Sequence, residues 1–230
     1  MGGIEVTNTR GRSRKNEQET KKELIIRLLP FLKKQGISSL KMEDIAKYMD
    51  ISKATMYKYF SSRTEILEAT VEVYVDYILE NLHDLSDNES ASFVRRFQKV
   101  FENSVVLAIF LSDLLLQELK NMYPHLYQRI VEAQKARNDH IKAFYEAGHR
   151  EGVFLSVNPS LVIAQDELLL PSLLSPVFLI QNHMTLEQAL FDYYQMKKHQ
   201  LLKPELIPDV DDSFIPMQVG QCIQKITWTE

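Results

Sequence analysis

The sequence has very little cysteine and little glycine. Its 230 residues include one cysteine, Cys222, and seven glycines. A single cysteine cannot form an internal disulfide, and its neighbours do not supply the closely spaced Cys and His ligands of a structural zinc site. We therefore interpret Cys222 as an ordinary thiol.

Long apolar runs are also absent. No run approaches the roughly 20 residues that a membrane-spanning helix requires, and the polar, basic N-terminus lacks the apolar core of a signal peptide. Apolar residues nevertheless make up 45% of the chain, which is enough to bury a core. We expect a globular, cytoplasmic protein with no membrane partner.

The common signatures of catalysis are missing as well. There is no glycine-rich phosphate loop, no Gly-x-Ser-x-Gly turn and no acid–base set with a recognisable spacing. None of the six histidines forms a pair at the i, i+4 spacing of a helical metal site, although a metal or haem effector remains an alternative. We predict that the chain is not an enzyme and has no cofactor and no metal site.

Charge is divided unevenly along the chain, whose net charge is −4. Residues 1–64 contain 14 Lys and Arg against seven Asp and Glu, a net charge of +7, whereas residues 65–230 contain 13 against 24, a net charge of −11. This asymmetry is typical of a small DNA-binding domain joined to a larger acidic domain. The alternative is a solvated basic face with no partner.

The first part of the chain divides into a tail and a helix. Residues 1–18 contain Gly11 and clustered basic side chains, which predict a flexible basic tail. From about Glu19 the apolar residues recur at helical spacing, and Gly36 stands where a left-handed stop is expected. Pro30 falls inside this helix and predicts a kink.

Two short helices joined by a tight turn are predicted next. Met42, Ile45, Ala46 and Met49 share one face, and a second short helix follows the turn. Ser52 is placed to cap the second helix, and Ser62 with Glu65 would form a capping box for the helix after it.

The remainder divides into helices and an irregular end. Residues 65–202 show helical periodicity, with helix starts predicted at Asn158-Pro159 and Thr185. Pro171 and Pro176 interrupt one long apolar segment and leave its helix boundaries open. The prolines and aspartates of residues 203–230 exclude a continuous helix, although 223–228 alternate weakly like a strand.

The segment from Lys41 to Arg63 has the features of a major-groove reader. Its second helix is short, begins with small and polar residues, and carries cations at its edges. We predict that base edges or their sugar margins are contacted by Lys53, Ala54, Thr55 and Tyr57. The phosphates would be contacted by Lys58, Tyr59 and Arg63, with Lys41 as a further DNA-binding cation. Met56 and Phe60 would point inward. Alternatively, the aromatic residues are only the core of a small helical bundle.

The run MEDIAKYMDISKATMYKYFSSRTEIL resembles the N-terminal signature of the tetracycline-repressor (TetR) family. The matching positions are Ile45-Ala46, Ser52, Thr55, Tyr57-Lys58-Tyr59-Phe60, Ser62-Arg63 and Leu67. The resemblance is close over residues 19–70 and looser over the rest, including 146–162. Three positions depart from the family pattern: Met49-Asp50 replaces its usual Ala-Gly, Ala54 its common Gly, and Lys41 its usual Thr.

This resemblance implies an all-α fold with a three-helix helix-turn-helix head at residues 19–64 and a helical regulatory and dimerisation body at 65–202. It implies a homodimer that binds double-stranded, palindromic operator DNA, where it would be nucleoid-associated. It also implies a repressor that a small-molecule effector releases. The alternative is a DNA-bound structural or assembly factor whose body contacts a protein partner instead.

Two groups of apolar residues in the body are candidates for these roles. An apolar or aromatic effector would be lined by Phe97, Phe101, Phe110, Leu114, Tyr123, Tyr127 and Phe144, with Phe93, Val105 and Phe154 as further candidates. The dimer interface would be formed by Leu161 to Ile180 together with Leu186, Leu190, Tyr193, Tyr194 and Leu201. For both groups the alternative is an ordinary intramolecular core.

Overall fold

The computed structural model describes residues 7–80, 90–217 and 220–221. These residues form helices with no named strand; one isolated bridge pairs Phe154 with Leu202. The all-α prediction is therefore confirmed. The helices are α1 (Thr7–Gln35), α2 (Met42–Tyr48), α3 (Lys53–Tyr59), α4 (Arg63–Leu79), α5 (Ser90–Phe110), α6 (Asp113–Met122), α7 (Pro124–Arg150), α8 (Pro159–Leu173), α9 (Pro176–Gln181) and α10 (Leu186–Leu201), followed by a 3₁₀ helix (Pro204–Asp209).

The chain divides into two compact units. The first contains residues as far as Tyr77 together with Asp113–Ile130, and the second contains Ile78–Ser112 and the chain from Val131 onward. These limits differ from the predicted boundary at 64/65, because most of α4, all of α6 and the start of α7 pack with the first three helices. Cys222 and residues 223–228 lie outside the described residues.

Helix α1 starts earlier than the sequence predicted. It begins at Thr7, so residues 7–18, predicted as a flexible tail, form its first turns. The run 12–19 is rich in Arg, Lys, Glu and Gln, which are good helix formers. The helix continues through Pro30 and ends at Gln35, and the following Gly36, with a φ of 71°, gives the expected left-handed stop.

Glu118 of α6 fastens the turn that follows α1. Its carboxylate accepts hydrogen bonds from the backbone N–H groups of Ile37 and Ser38. A Cβ at Gly36 would crowd the Glu118 carboxylate and make it shift, whereas the positive φ of Gly36 is what favours glycine at this position. The contact explains why α6 belongs to the first unit.

The turn between α2 and α3 depends on Asp50. Its φ is 56°, a left-handed conformation that aspartate tolerates better than most residues. The Ile51 N–H then donates to the Ala46 carbonyl at 3.1 Å. As predicted, Ser52 caps α3, because its Oγ accepts a hydrogen bond from the Thr55 N–H at 3.0 Å.

At the start of α4 one of the two hydrogen bonds of the predicted capping box forms, and the other has a different partner. Ser62 Oγ accepts from the Glu65 N–H at 3.2 Å, as expected. The Glu65 carboxylate, however, accepts from the backbone N–H of Ser61 at 2.7 Å and from its hydroxyl at 2.8 Å. The cap therefore extends one residue further out.

The second unit is built around a cluster of aromatic side chains on α5, α7, α10 and the residue Phe154. Each of the residues in this cluster is at most 3% exposed, and their ring centroids lie 5.3–6.0 Å apart. Such contacts are typical of offset and edge-to-face aromatic packing. The cluster contains Phe93, Phe97, Phe101, Phe144, Tyr145, Phe154, Tyr193 and Tyr194.

A buried ion pair crosses this core. Lys197 of α10 is 1% exposed and its Nζ lies 2.5 Å from Oδ1 of Asp166 on α8. The Tyr193 hydroxyl donates to the same oxygen at 2.6 Å. Burial lowers the pKa of Lys197, although the neighbouring carboxylate opposes this shift. The pair links α8 to α10 at a defined register.

The C-terminal segment is held by Asp212. This carboxylate accepts hydrogen bonds from the Tyr194 hydroxyl at 2.5 Å, from Gln195 at 3.2 Å and from the Lys198 ammonium. Lys198 has a side chain only 7% exposed. Part of the predicted irregular tail is thus fixed against α10.

The prolines decide where α8 and α9 end and begin. Pro171 lies inside α8, which ends at Leu173, and Pro176 is the first residue of α9. The start of α8 is capped by Asn158 and that of α10 by Thr185, as predicted.

No single helix among the described residues is long and apolar enough to cross a membrane; α5 and α6 pass that test only together, as a bent pair.

Asp212→Ala is expected to lower the free energy of unfolding by about 2 kcal/mol, because Lys198 loses its carboxylate in a largely buried position. Partial burial alone would raise the pKa of Asp212, but the hydrogen bonds from Lys198, Tyr194 and Gln195 outweigh it and hold the pKa below its usual value. The contribution of Asp212 is therefore present above the unfolded-state pKa and is lost as pH falls through the folded-state value.

Urea unfolding at neutral pH and in the acid range measures both effects. The matched control is Asp209→Ala, which removes an exposed carboxylate from the same segment. Equal unfolding midpoints for the two variants at neutral pH would contradict this role of Asp212.

Asp50→Val is expected to cost about 1–2 kcal/mol, since a β-branched residue is strained at this positive φ. Asp50→Gly should be neutral or stabilising. Thermal unfolding of both variants provides the measurement, with Lys47→Val in α2 as the control for β-branching at an ordinary helical position. A loss at Lys47→Val as large as that at Asp50→Val would show that the positive φ at position 50 is not the cause of the destabilisation.

Candidate nucleic-acid interface

Helix α3 has one buried face and one exposed face. Met56 and Phe60 are fully buried, and they point into the first unit as the sequence predicted. Lys53, Ala54 and Lys58 are exposed, and Tyr57 is 47% exposed. The outer face is therefore free to meet another molecule along its whole length.

Contacts from α1 hold α3 and its neighbours in place. Arg27 donates to the Met49 carbonyl at 3.2 Å, at the end of α2. The Lys21 ammonium lies 5.6 Å from the centroid of the Phe60 ring and 3.1 Å from a carboxylate oxygen of Glu65. These contacts hold α3 at its buried side, through Phe60, and at its flanks, through Met49 and Glu65.

The first turn of α3 is internally bonded. Thr55 Oγ1 lies 2.8 Å from Ser52 Oγ, and the Thr55 side chain is half-buried. Of the four residues predicted to face base edges, Thr55 is thus partly engaged by the cap, whereas Ala54 and Tyr57 are not.

Lys53 carries an ion pair that the sequence analysis did not anticipate. Its Nζ lies 2.5 Å from Oε1 of Glu43, in the first turn of α2. The hydrogen bond that the Lys53 ammonium donates to Glu43 lowers the pKa of Glu43, and the same bond raises the pKa of Lys53. The two residues stand ten positions apart on different helices, and no helical spacing rule connects them. Only the turn between the helices brings them together.

The remaining predicted phosphate contacts differ in exposure. Lys41 and Lys58 are exposed, while Tyr59 and Arg63 are half-buried. One guanidinium nitrogen of Arg63, Nη2, is enclosed and has no hydrogen-bond partner within the part of the chain that the structure describes. Arg63 therefore presents only part of its donor set outward.

The predicted effector residues divide between the two units. Leu114, Tyr123 and Tyr127 belong to the first unit, and the remaining four belong to the second. Phe97, Phe101 and Phe144 are members of the packed aromatic cluster and are at most 3% exposed. For these three residues the structure shows the core arrangement that the sequence analysis named as the alternative.

A cavity of about 870 Å³ opens in the second unit, with a different lining. Its walls are α5, the turn after α7 and the C-terminal segment. The lining residues are Val94, Arg95, Gln98, Lys99, Glu151, Gly152, Val153, Leu206, Asp209, Val210, Asp211 and Phe214. None of the predicted effector residues is among them. In the described ranges no group of three or more His, Cys, Asp or Glu residues could hold a metal ion.

The helix-turn-helix segment matches the sequence model of a known protein family. Residues 31–70 fit the family model described as bacterial regulatory proteins, tetR family. A curated relative, the uncharacterized HTH-type transcriptional regulator YvaF of Bacillus subtilis strain 168, is 28% identical over 102 residues, which cover 44% of this chain and 53% of YvaF. The chain thus matches about half the length of that relative.

Solved structures share the fold over most of the chain. The ketosteroid transcriptional regulator KstR2 of Mycobacterium tuberculosis superposes with a TM-score of 0.57 at 17% identity, covering 80% of this chain and 95% of KstR2. A putative transcriptional regulator from Saccharomonospora viridis, solved in complex with choline, gives 0.56 at 16% identity, covering 82% and 99%. The chain thus shares the fold of these solved regulators, and its helix-turn-helix segment matches the family model of tetR-type bacterial regulatory proteins.

Proposed function

We propose that this chain is a DNA-binding transcription regulator whose helix α3 enters the major groove of an operator. The observation that carries the proposal is the two-faced geometry of α3, with Met56 and Phe60 buried and Lys53, Tyr57 and Lys58 exposed. A short, rigidly backed helix with an outward row of polar and cationic side chains is what groove reading requires.

The proposed roles follow the position of each side chain on α3 and its flanks. Base edges or their sugar margins would be contacted by Lys53, Ala54, Thr55 and Tyr57. Phosphates would be bound by Lys41, Lys58, Tyr59 and Arg63, which fix register without reading sequence. The net charge of +7 over residues 1–64 supports binding to a polyanion.

We further propose that the chain acts as a homodimer on a palindromic operator. An exposed apolar row supports this: Leu161, Leu168, Val177 and Ile180 on α8 and α9 are 63–76% exposed, and Met196 on α10 is 60% exposed. Of the other residues nominated for the interface, Leu190, Tyr193, Tyr194 and Leu201 are buried within the protomer. Two copies joined through the apolar row would present two α3 helices to successive grooves, about 34–36 Å apart or a multiple of it.

Repression with release by a small-molecule effector is the regulatory mode that we propose. Support comes from the related structures, one of a regulator named for ketosteroids and one with bound choline. The candidates within the second unit are Phe97, Phe101, Phe110 and Phe144, and a cavity with other walls is available in the same unit. The competing function is a DNA-bound assembly factor with a protein partner.

Fluorescence anisotropy tests the DNA-binding proposal. The protein is titrated into a labelled fragment of its own upstream region and into a scrambled fragment, at two salt concentrations. We expect tighter, salt-sensitive binding to the upstream fragment. Lys58→Ala should weaken binding to both fragments by a similar factor, whereas Tyr57→Ala should reduce the preference between them.

Ile26→Ala is a useful control, because this exposed α1 residue is not part of the proposed DNA surface. Weak binding of the wild type to both fragments, without salt dependence, would contradict the proposed function. An equal loss from Lys58→Ala and Tyr57→Ala on every fragment would contradict only the assigned roles.

Leu168→Glu is expected to convert a dimer into a monomer, since it places a charge in the apolar row while leaving the protomer core untouched. Light scattering coupled to gel filtration gives the mass directly. Met217→Glu serves as the control, because Met217 is 62% exposed but lies in the C-terminal segment. A monomeric wild type, or a dimer that survives Leu168→Glu, would refute this interface.

A further inference from the structure

The proposed DNA surface contains an acidic side chain in direct contact with one of its cations. Glu43 and Lys53 belong to the first turns of α2 and α3, and their charged atoms are 2.5 Å apart. The Glu43 side chain is 64% exposed and that of Lys53 is 50% exposed. The ion pair therefore lies on the outside of the motif, where DNA would approach.

The pairing distinguishes Lys53 from the other exposed cations of the motif. Within the described residues Lys41 and Lys58 have no ion pair with a carboxylate, whereas Lys53 has Glu43. Glu43 also attracts Lys41, but more weakly than it attracts Lys53. Phosphate can therefore reach Lys41 and Lys58 without breaking an ion pair. To reach Lys53, it must displace a carboxylate that belongs to the same protein.

We infer that Glu43 competes for Lys53 with the DNA phosphates next to the sugar margin where Lys53 is proposed to lie, and thereby lowers the affinity and the salt sensitivity of DNA binding. The inference rests on the proposed function. A lysine neutralised by a carboxylate releases no counterion when it exchanges that partner for phosphate. The freed carboxylate is then left beside a polyanion, which repels it.

The exposure of the Glu43–Lys53 pair limits how much Glu43 can lower the affinity for DNA. Exposed ion pairs are weak, because water and salt screen them and because two long side chains must be ordered. Glu43 therefore reduces binding without abolishing it. Because every duplex offers the same phosphates, the ion pair lowers the affinity for DNA of any sequence and so limits non-specific binding.

A double-mutant cycle separates competition from simple charge repulsion. Glu43→Gln, Lys53→Gln and the double variant are titrated by anisotropy into a short labelled duplex of random sequence and into the upstream fragment, over a range of salt concentrations. With Lys53 present, Glu43→Gln should tighten binding to the random duplex about two- to fivefold at low salt. It should also steepen the slope of log affinity against log salt by about 0.9, the value for one additional phosphate contact.

In the Lys53→Gln background the same change at Glu43 should give a smaller gain and no change in slope. Glu68→Gln is the matched control, because Glu68 is an exposed carboxylate of the first unit with no ion pair to a described cation. It should leave the slope unchanged. Thermal unfolding of each variant confirms that the motif is intact.

Two outcomes would overturn the inference while leaving the proposed function standing. Equal gains from Glu43→Gln with and without Lys53 would show general repulsion in place of competition. Weaker binding by Glu43→Gln only when Lys53 is present would show that Glu43 orients Lys53 toward DNA. A wild type with no salt-sensitive binding to either duplex would contradict the proposed function itself, and the competition with it.

Discussion

Burial of Met56 and Phe60 is the constraint on which the DNA-facing geometry depends. Both side chains are fully enclosed, so α3 cannot rotate about its axis without exposing apolar surface or clashing with the core. A seven-residue helix has too few internal hydrogen bonds to be stable alone. Its orientation, and therefore which residues face outward, is set by this packing together with the Ser52 cap.

In the turn before α3, aspartate replaces the glycine of the resembled signature, and the structure accommodates it. Asp50 adopts the left-handed conformation at the position where the resembled signature has glycine. The strain is small for aspartate and is offset by the hydrogen bonds on either side of the turn. The same turn brings Glu43 and Lys53 into contact, so the charge pattern of the outer surface is a consequence of backbone geometry.

In the second unit, ion pairs and hydrogen bonds join segments of an otherwise apolar core. The pair of Lys197 with Asp166 and the network around Asp212 each join α10 to another segment. Such buried charges add little net stability but are costly to break, so they favour one register of α10. Phe97, Phe101 and Phe144, which were predicted to line an effector site, are packed in the aromatic core of this unit, while exposed apolar residues lie on α8, α9 and α10 and in the C-terminal segment.

The sequence by itself determined the all-α class, the position of the helix-turn-helix, the caps at Ser52, Asn158 and Thr185, and the inward direction of Met56 and Phe60. These features depend on periodicity and short-range bonding, which act between residues close in sequence. Tertiary structure alone decided that Phe97, Phe101 and Phe144 are core, that Glu118 joins α6 to the first unit, and that Glu43 holds Lys53. Each of these depends on residues distant in sequence being brought together by packing, which no local pattern encodes.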